Sequence, residues 1–196
     1  MTGESSRLDG LTSWHADWRG LRVAVFGLSV TGFSVADTLA ELGAEVLVLA
    51  ESADPAYERL LPVIGVRSSM GSLSTPPAEL VDFAPEVVIA SPGFSPTHPL
   101  VRWTLESGIP LWGDIELAWR VRDKVVRPGG APADWVLITG TNGKTTTTGL
   151  AATMMVAGGL RAVPCGNIGT PILDAVRDPS GFDVLVVELS SHQLWY

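Results

Sequence analysis

The stretch TGTNGKTTTT, Thr139 to Thr148, stands between an apolar run, Trp135 to Thr139, that reads as a strand and a segment, Lys144 to about Ala157, that reads as a helix. A strand, a glycine turn and a helix start in that order form a phosphate cradle. Gly140 and Gly143 let the backbone fold tightly, so that the N–H groups of Gly140, Thr141, Asn142 and Gly143, and those of the helix start through Thr146, converge on phosphate oxygens. Lys144 is placed to reach the β- and γ-phosphates, and the Thr145 hydroxyl to bind Mg²⁺. The usual P-loop has a glycine where this chain has Ile138, so the match is to a shortened G-x-x-G-K-T form. A Thr-rich helix start with an ordinary exposed lysine is the plain alternative, and the strand-turn-helix setting counts against it.

Outward from this loop, strands alternate with helices. Downstream come a strand near Arg161 to Val163, a helix near Pro171 to Val176 and an apolar strand at Asp183 to Val187. Glu188 ends that last run. A carboxylate at the carboxyl end of a buried strand beside a P-loop is a second candidate ligand for nucleotide-bound Mg²⁺, against the alternative of an acid emerging into water. Upstream, the proline and glycine cluster at 127–134 (RPGGAPAD) has no periodicity and reads as a linker between compact units. Before it lie strands at Leu21 to Gly27, Val46 to Leu49, Pro85 to Ala90 and Ile109 to Trp112. The helices are expected at Gly32 to Leu42, His98 to Ser107 and Asp114 to Arg122, with Asp114 placed as the cap of the last. The alternation indicates parallel sheets covered on both faces.

The Gly27-Leu-Ser-Val-Thr-Gly32 turn joins the first strand to the first helix, with Ser29 where a dinucleotide fingerprint has its middle glycine. Glu51 is either a ribose contact or a polar strand end. Composition bounds the rest. The 196 residues are 46% hydrophobic and 17% charged, enough for a sizeable core, and 13 Lys+Arg against 21 Asp+Glu leave a net charge of −8. Such a chain has no basic field for nucleic acid, so the loop's local donors must bind any polyphosphate. One cysteine, Cys165, forms no internal disulfide and fits a reducing compartment. No apolar segment is long enough for a signal or a membrane span, which points to a cytoplasmic protein without membrane insertion.

GTNGKTTTT at 140–148, CGNIG at 165–169 with Pro171, ELSSHQL at 188–194, SPG at 91–93 and GDIEL at 113–117 together resemble the ATP-dependent Mur ligases of peptidoglycan synthesis, from about Leu21 onward. Within that family the likeness is to the member that adds D-glutamate to UDP-N-acetylmuramoyl-L-alanine. The resemblance implies that ATP converts the substrate carboxylate to an acyl phosphate, which the amino acid's amine then attacks. Lys144 and Glu188 would be catalytic, Thr145 and Glu188 would hold Mg²⁺, and residues 140–146 would bind ATP. Ser29, Val30, Thr31, Asn167 and Gln193 would hold the UDP-muramoyl substrate, with Ser91, Pro92 and Gly93 shaping the uridine pocket. At the second strand's end the family often has Asp-Thr-Arg, where this chain has Ala50-Glu51-Ser52. His192 replaces a common aromatic and is given no role.

The expected fold is α/β: an amino-terminal extension at 1–20, a Rossmann-like parallel-sheet domain at 21–127, a linker at 128–134 and the start of a P-loop ATPase domain at 135–196. The resemblance implies that further central and amine-binding regions follow Tyr196, so the chain by itself is expected to lack ligase activity. A monomer is expected. Rival readings are another Mur ligase, a folate polyglutamate ligase, a nicotinamide-dependent oxidoreductase using the Gly27 to Gly32 turn, and a non-enzymatic nucleotide switch.

Overall fold

The computed structural model describes residues 7–191 and 193–195. The most apolar, β-branched runs form the centres of two parallel sheets. In the first, β1 (Arg22–Leu28), β2 (Glu45–Ala53), β3 (Arg67–Met70), β4 (Val87–Ala90) and β5 (Leu111–Gly113) lie in the order β3-β2-β1-β4-β5. The central strand β1 and its neighbour β4 are almost wholly withdrawn from water. In the second, β6 (Asp134–Ile138), β7 (Ala162–Gly166) and β8 (Val184–Glu188) lie in the order β6-β8-β7, with every residue of β8 buried. All pairings are parallel. Pro164 sits in β7, an edge strand, where its missing N–H costs no ladder bond on the open side.

The helices are α1 (Val30–Glu41), α2 (Pro55–Leu60), α3 (Ala78–Phe83), α4 (Pro99–Glu106), α5 (Asp114–Arg120), α6 (Lys144–Ala157) and α7 (Ile172–Arg177). None among the described residues is long and apolar enough to cross a membrane. Three elements have no periodic signal in the sequence. β3 is four residues of RSSM at a sheet edge, and α2 and α3 are six residues each, too short to display a helical stripe.

One expectation is corrected. Asp114 does not cap α5; Gly113 is the N-cap and makes no side-chain cap bond, while Asp114 is the first helical residue and is 1% exposed. Its carboxylate turns inward because a buried donor, Gln193, awaits it there.

The two sheets share one apolar cluster, in which Val25, Val48 and Ile89 of the first are joined through Leu117 and Val121 to Ile172, Leu185 and Val187 of the second. Polar contacts pin the same boundary. Ser34 donates to Asp174 at 2.5 Å, and Arg177 of α7 reaches Asp37 at 2.6 Å and Glu41 at 3.1 Å on α1. The amino-terminal segment is part of the packing too: Trp18 is 1% exposed and meets Trp112 edge to face, and Arg120 donates to the carbonyls of Leu8 and Leu11.

Gly32 fixes the approach of α1 to β1. A Cβ at this position would lie 2.1 Å from the Gly27 carbonyl oxygen, an impossible contact with backbone. Gly32→Ala is therefore expected to destabilise the fold by about 1–3 kcal/mol or more, as overpacking does. Urea unfolding of the variant against the parent measures this, and coincident midpoints would refute it.

Candidate functional site

The N-cap of α6 is Gly143, whose φ of +75° lies in the left-handed region, so the chain turns from the loop directly into the helix. The N-cap of this 14-residue helix is a glycine with no side chain to cap the first turn, whose N–H groups lie beside the exposed loop residues Gly140, Thr141, Asn142 and Gly143. Such a terminus carries a partial positive charge and suits an anion. Lys144 Nζ donates to the Gly140 carbonyl at 2.8 Å, folding its side chain back over the loop. Thr146 is exposed on the first turn, and Thr148 back-bonds to the Lys144 carbonyl.

Glu188 ends β8 at 2% exposure. A buried carboxylate requires donors, and two elements supply them. Thr145 Oγ1 of α6 donates to Oε2 at 2.9 Å, and Asn167 Nδ2, just past β7, donates to Oε1 at 3.2 Å. The Asn167 N–H also binds the Glu188 carbonyl at 3.0 Å. Thr145, Asn167 and Glu188, far apart in sequence, thus converge on one point below the loop. Among the described residues no three His, Cys, Asp or Glu side chains form an all-protein metal cage. One carboxylate and one hydroxyl nevertheless suit Mg²⁺, a hard cation that takes most of its oxygen ligands from phosphates and water. The donor set fits that ion.

In the first sheet, Ser29 is the N-cap of α1 and, with Val30, is exposed, while Thr31 is half-buried on the first turn. Ser91, just past β4, is 5% exposed and its Oγ has no hydrogen-bond partner among the described residues. Pro92 is half-buried. Gly93 lines a cavity of about 250 Å³ with Gly27, Ala50, Glu51, Ser52, Phe94 and His98. Glu51 accepts from the Leu73 N–H, so it belongs both to this cavity and to a turn. His98, whose place here had no signal beyond its position before a helix, caps α4 by accepting the Leu100 N–H at Nδ1 and packs on Phe94. Partial burial holds its pKa below the usual 6.5, against the pull of the Glu51 carboxylate.

Gln193 lies elsewhere. Its Nε2 donates to Oδ1 and Oδ2 of Asp114 at 3.0 and 3.1 Å, and its Oε1 accepts the Ser190 N–H. In this arrangement the amide nitrogen is turned onto Asp114. His192 lies outside the described residues. Cys165 is fully buried, which pushes its thiol up to about 12 and removes it from chemistry.

Burial raises Asp114 from the ordinary 3.8 to about 6, against the lowering effect of the Gln193 bonds. The native state therefore holds a proton that the unfolded chain releases between those values. The resulting stability is fully present below about pH 4 and is lost as pH rises through about 6, by up to about 3 kcal/mol. Melting curves across this range should show that fall, and Asp114→Asn should flatten it. A variant profile that tracks the parent would refute the assignment.

Residues 21–113 match the family described as Mur ligase MurD-like, N-terminal domain, and residues 138–195 match the Mur ligase middle domain. A UDP-N-acetylmuramoylalanine--D-glutamate ligase of Leifsonia xyli subsp. xyli is 63% identical over 197 residues, covering 99% of this chain and 38% of the relative. A ligase of the same name from Tropheryma whipplei is 50% identical over 189 residues, covering 96% of this chain and 38% of the relative. The chain thus spans about 38% of the length of these relatives. Among solved structures, the UDP-N-acetylmuramate:L-alanyl-gamma-D-glutamyl-meso-diaminopimelate ligase of Neisseria meningitides superposes with a TM-score of 0.50 at 20% identity, over 85% of this chain and 52% of that one. That likeness concerns the fold alone. With its two stretches matching consecutive domains of one enzyme group, the chain belongs to the Mur ligase family.

Proposed function

We propose that this chain serves an ATP-dependent ligase that joins D-glutamate to UDP-N-acetylmuramoyl-L-alanine in cytoplasmic peptidoglycan precursor synthesis, acting as a monomer. The observation that carries this reading is the pairing of Thr145 with buried Glu188 below an uncapped helix start. The names of the relatives support the substrates. In this reading 21–127 is the UDP-substrate domain, 128–134 a linker and 135–196 part of the ATPase domain, with 1–20 an extension whose Leu8, Leu11 and Trp18 pack on the first.

The reaction has two steps. An oxygen of the substrate's terminal carboxylate bonds to the γ-phosphorus as the bond to the β,γ-bridging oxygen breaks, and ADP leaves. The amine of D-glutamate then attacks the acyl carbon and loses a proton to solvent, and inorganic phosphate departs. The N–H groups of 140–146 hold the phosphates. Lys144 swings from the Gly140 carbonyl to the transferring group, whose charge it neutralises. Thr145 and Glu188 would hold Mg²⁺, which supplies charge neutralisation at the β- and γ-phosphates. Ser29, Val30 and Thr31 offer the start of α1 to the diphosphate, Ser91 to Gly93 border the uridine pocket, and Asn167 reaches toward the muramoyl arm. Gln193, bonded to Asp114, is left outside this set.

In the intact ligase, Lys144→Ala should lower turnover at saturating ATP by about 10²–10³-fold, the loss typical of one transition-state donor. Parent-like turnover would refute the role. Glu188→Gln keeps the shape but removes the charge, and the Mg²⁺ concentration for half-maximal rate should rise about tenfold or more. Superimposable magnesium titrations would overturn the metal assignment.

A further inference from the structure

The bond between Asp114 and Gln193 crosses from the first sheet's unit to the segment that follows Glu188, and neither residue lines the cavity beside Gly93. Asp114 is 1% exposed and Gln193 7%. A buried ionisable side chain costs stability unless it has a specific partner, so its presence here needs a reason.

The hydrogen bonds trace one. Gln193 Nε2 donates toward both oxygens of the Asp114 carboxylate, its Oε1 takes the Ser190 N–H at 2.9 Å, and its backbone N–H donates to Ser190 Oγ at 3.3 Å. Gln193 is thus tied to Ser190 on its own side and to Asp114 on the first unit. The two residues before Ser190 are Leu189 and Glu188. The Leu189 N–H donates to the Ile138 carbonyl at 2.9 Å, and the Leu189 carbonyl accepts from Thr139 Oγ1 at 3.2 Å. Thr139 opens the phosphate loop. The turn that Asp114 anchors is therefore stitched to both the loop and the strand end carrying the candidate metal ligand.

We propose that Asp114 is a positioning residue: through Gln193 it holds Ser190 and the exit of β8 and so sets Glu188 and Thr139 for the metal-bound nucleotide, which links the substrate-side unit to the ATP site. This rests on the reading of Glu188 as a metal ligand. A covalently distant carboxylate acts here as an outer partner acts on a ligand, by fixing its orientation rather than by touching the ion.

The test uses the intact protein with a non-hydrolysable ATP analogue and Mn²⁺ as the metal probe, free Mn²⁺ being read by electron paramagnetic resonance. Asp114→Ala should weaken Mn²⁺ binding about tenfold, the scale of lost outer-shell partners, while KM for the UDP-muramoyl substrate stays unchanged. The exchange Asp114→Asn with Gln193→Glu reverses donor and acceptor across the same contact and should restore binding that either single change weakens. It also keeps the proposal testable if Asp114→Ala fails to fold. Lower thermal stability with unaltered Mn²⁺ binding would overturn the proposal, as would a raised substrate KM with unaltered Mn²⁺ binding, which would return Gln193 to the substrate. A double exchange that restores nothing would also overturn it. Glu188→Gln run beside these separates the two readings: if it leaves Mn²⁺ binding intact the metal assignment itself fails, whereas a loss there with none in Asp114→Ala refutes only the positioning role.

Discussion

The Glu188 carboxylate, withdrawn from water at the end of a strand buried along its whole length, is the constraint around which the second sheet is arranged. A charge in that position persists only with donors aimed at it, and those donors come from the start of α6 and from the turn after β7. Parallel pairing of β8 with both β6 and β7 brings these two strand exits to the same end of the sheet. The phosphate loop and the carboxylate are thus neighbours for topological reasons, and Thr145 joins them.

What the sequence displays and what it hides follow one physical division. Elements that bury a face announce themselves. The runs that become β1, β4 and β8 are nearly continuous apolar residues, and α6 falls where a glycine turn and a long non-breaking stretch require it. Short edge elements do not, because the four residues of β3, three of them polar, and the six-residue helices α2 and α3 bury too little to leave a period. In the site, Lys144, Thr145 and Glu188 were legible from local order along the chain. The bond between Asp114 and Gln193 was not, since it joins residues 79 positions apart and each alone resembles a helix cap or a polar turn residue. Asn167 was marked only by resemblance to a family, and its hold on Glu188 is visible only in three dimensions.

The proline and glycine cluster at 127–134 marks a change of sheet and yet does not mark a hinge free to swing. One apolar cluster runs beneath both sheets, and the contacts of Arg177 and Ser34 lie across the same boundary. Half-exposed ion pairs add little individually. The shared apolar burial supplies most of the attachment, and the polar contacts fix its register.

The single cysteine of this chain has its sulfur sealed behind β8, with no exposed surface and a thiol that stays protonated at any ordinary pH. Thiol-directed dyes and spin labels, which react with exposed thiolates, will find nothing to modify in the native state. Site-directed probes can therefore be placed on the outer faces of the two sheets against a silent background. Distance measurements between them can follow how the two units respond to nucleotide without first removing a native residue.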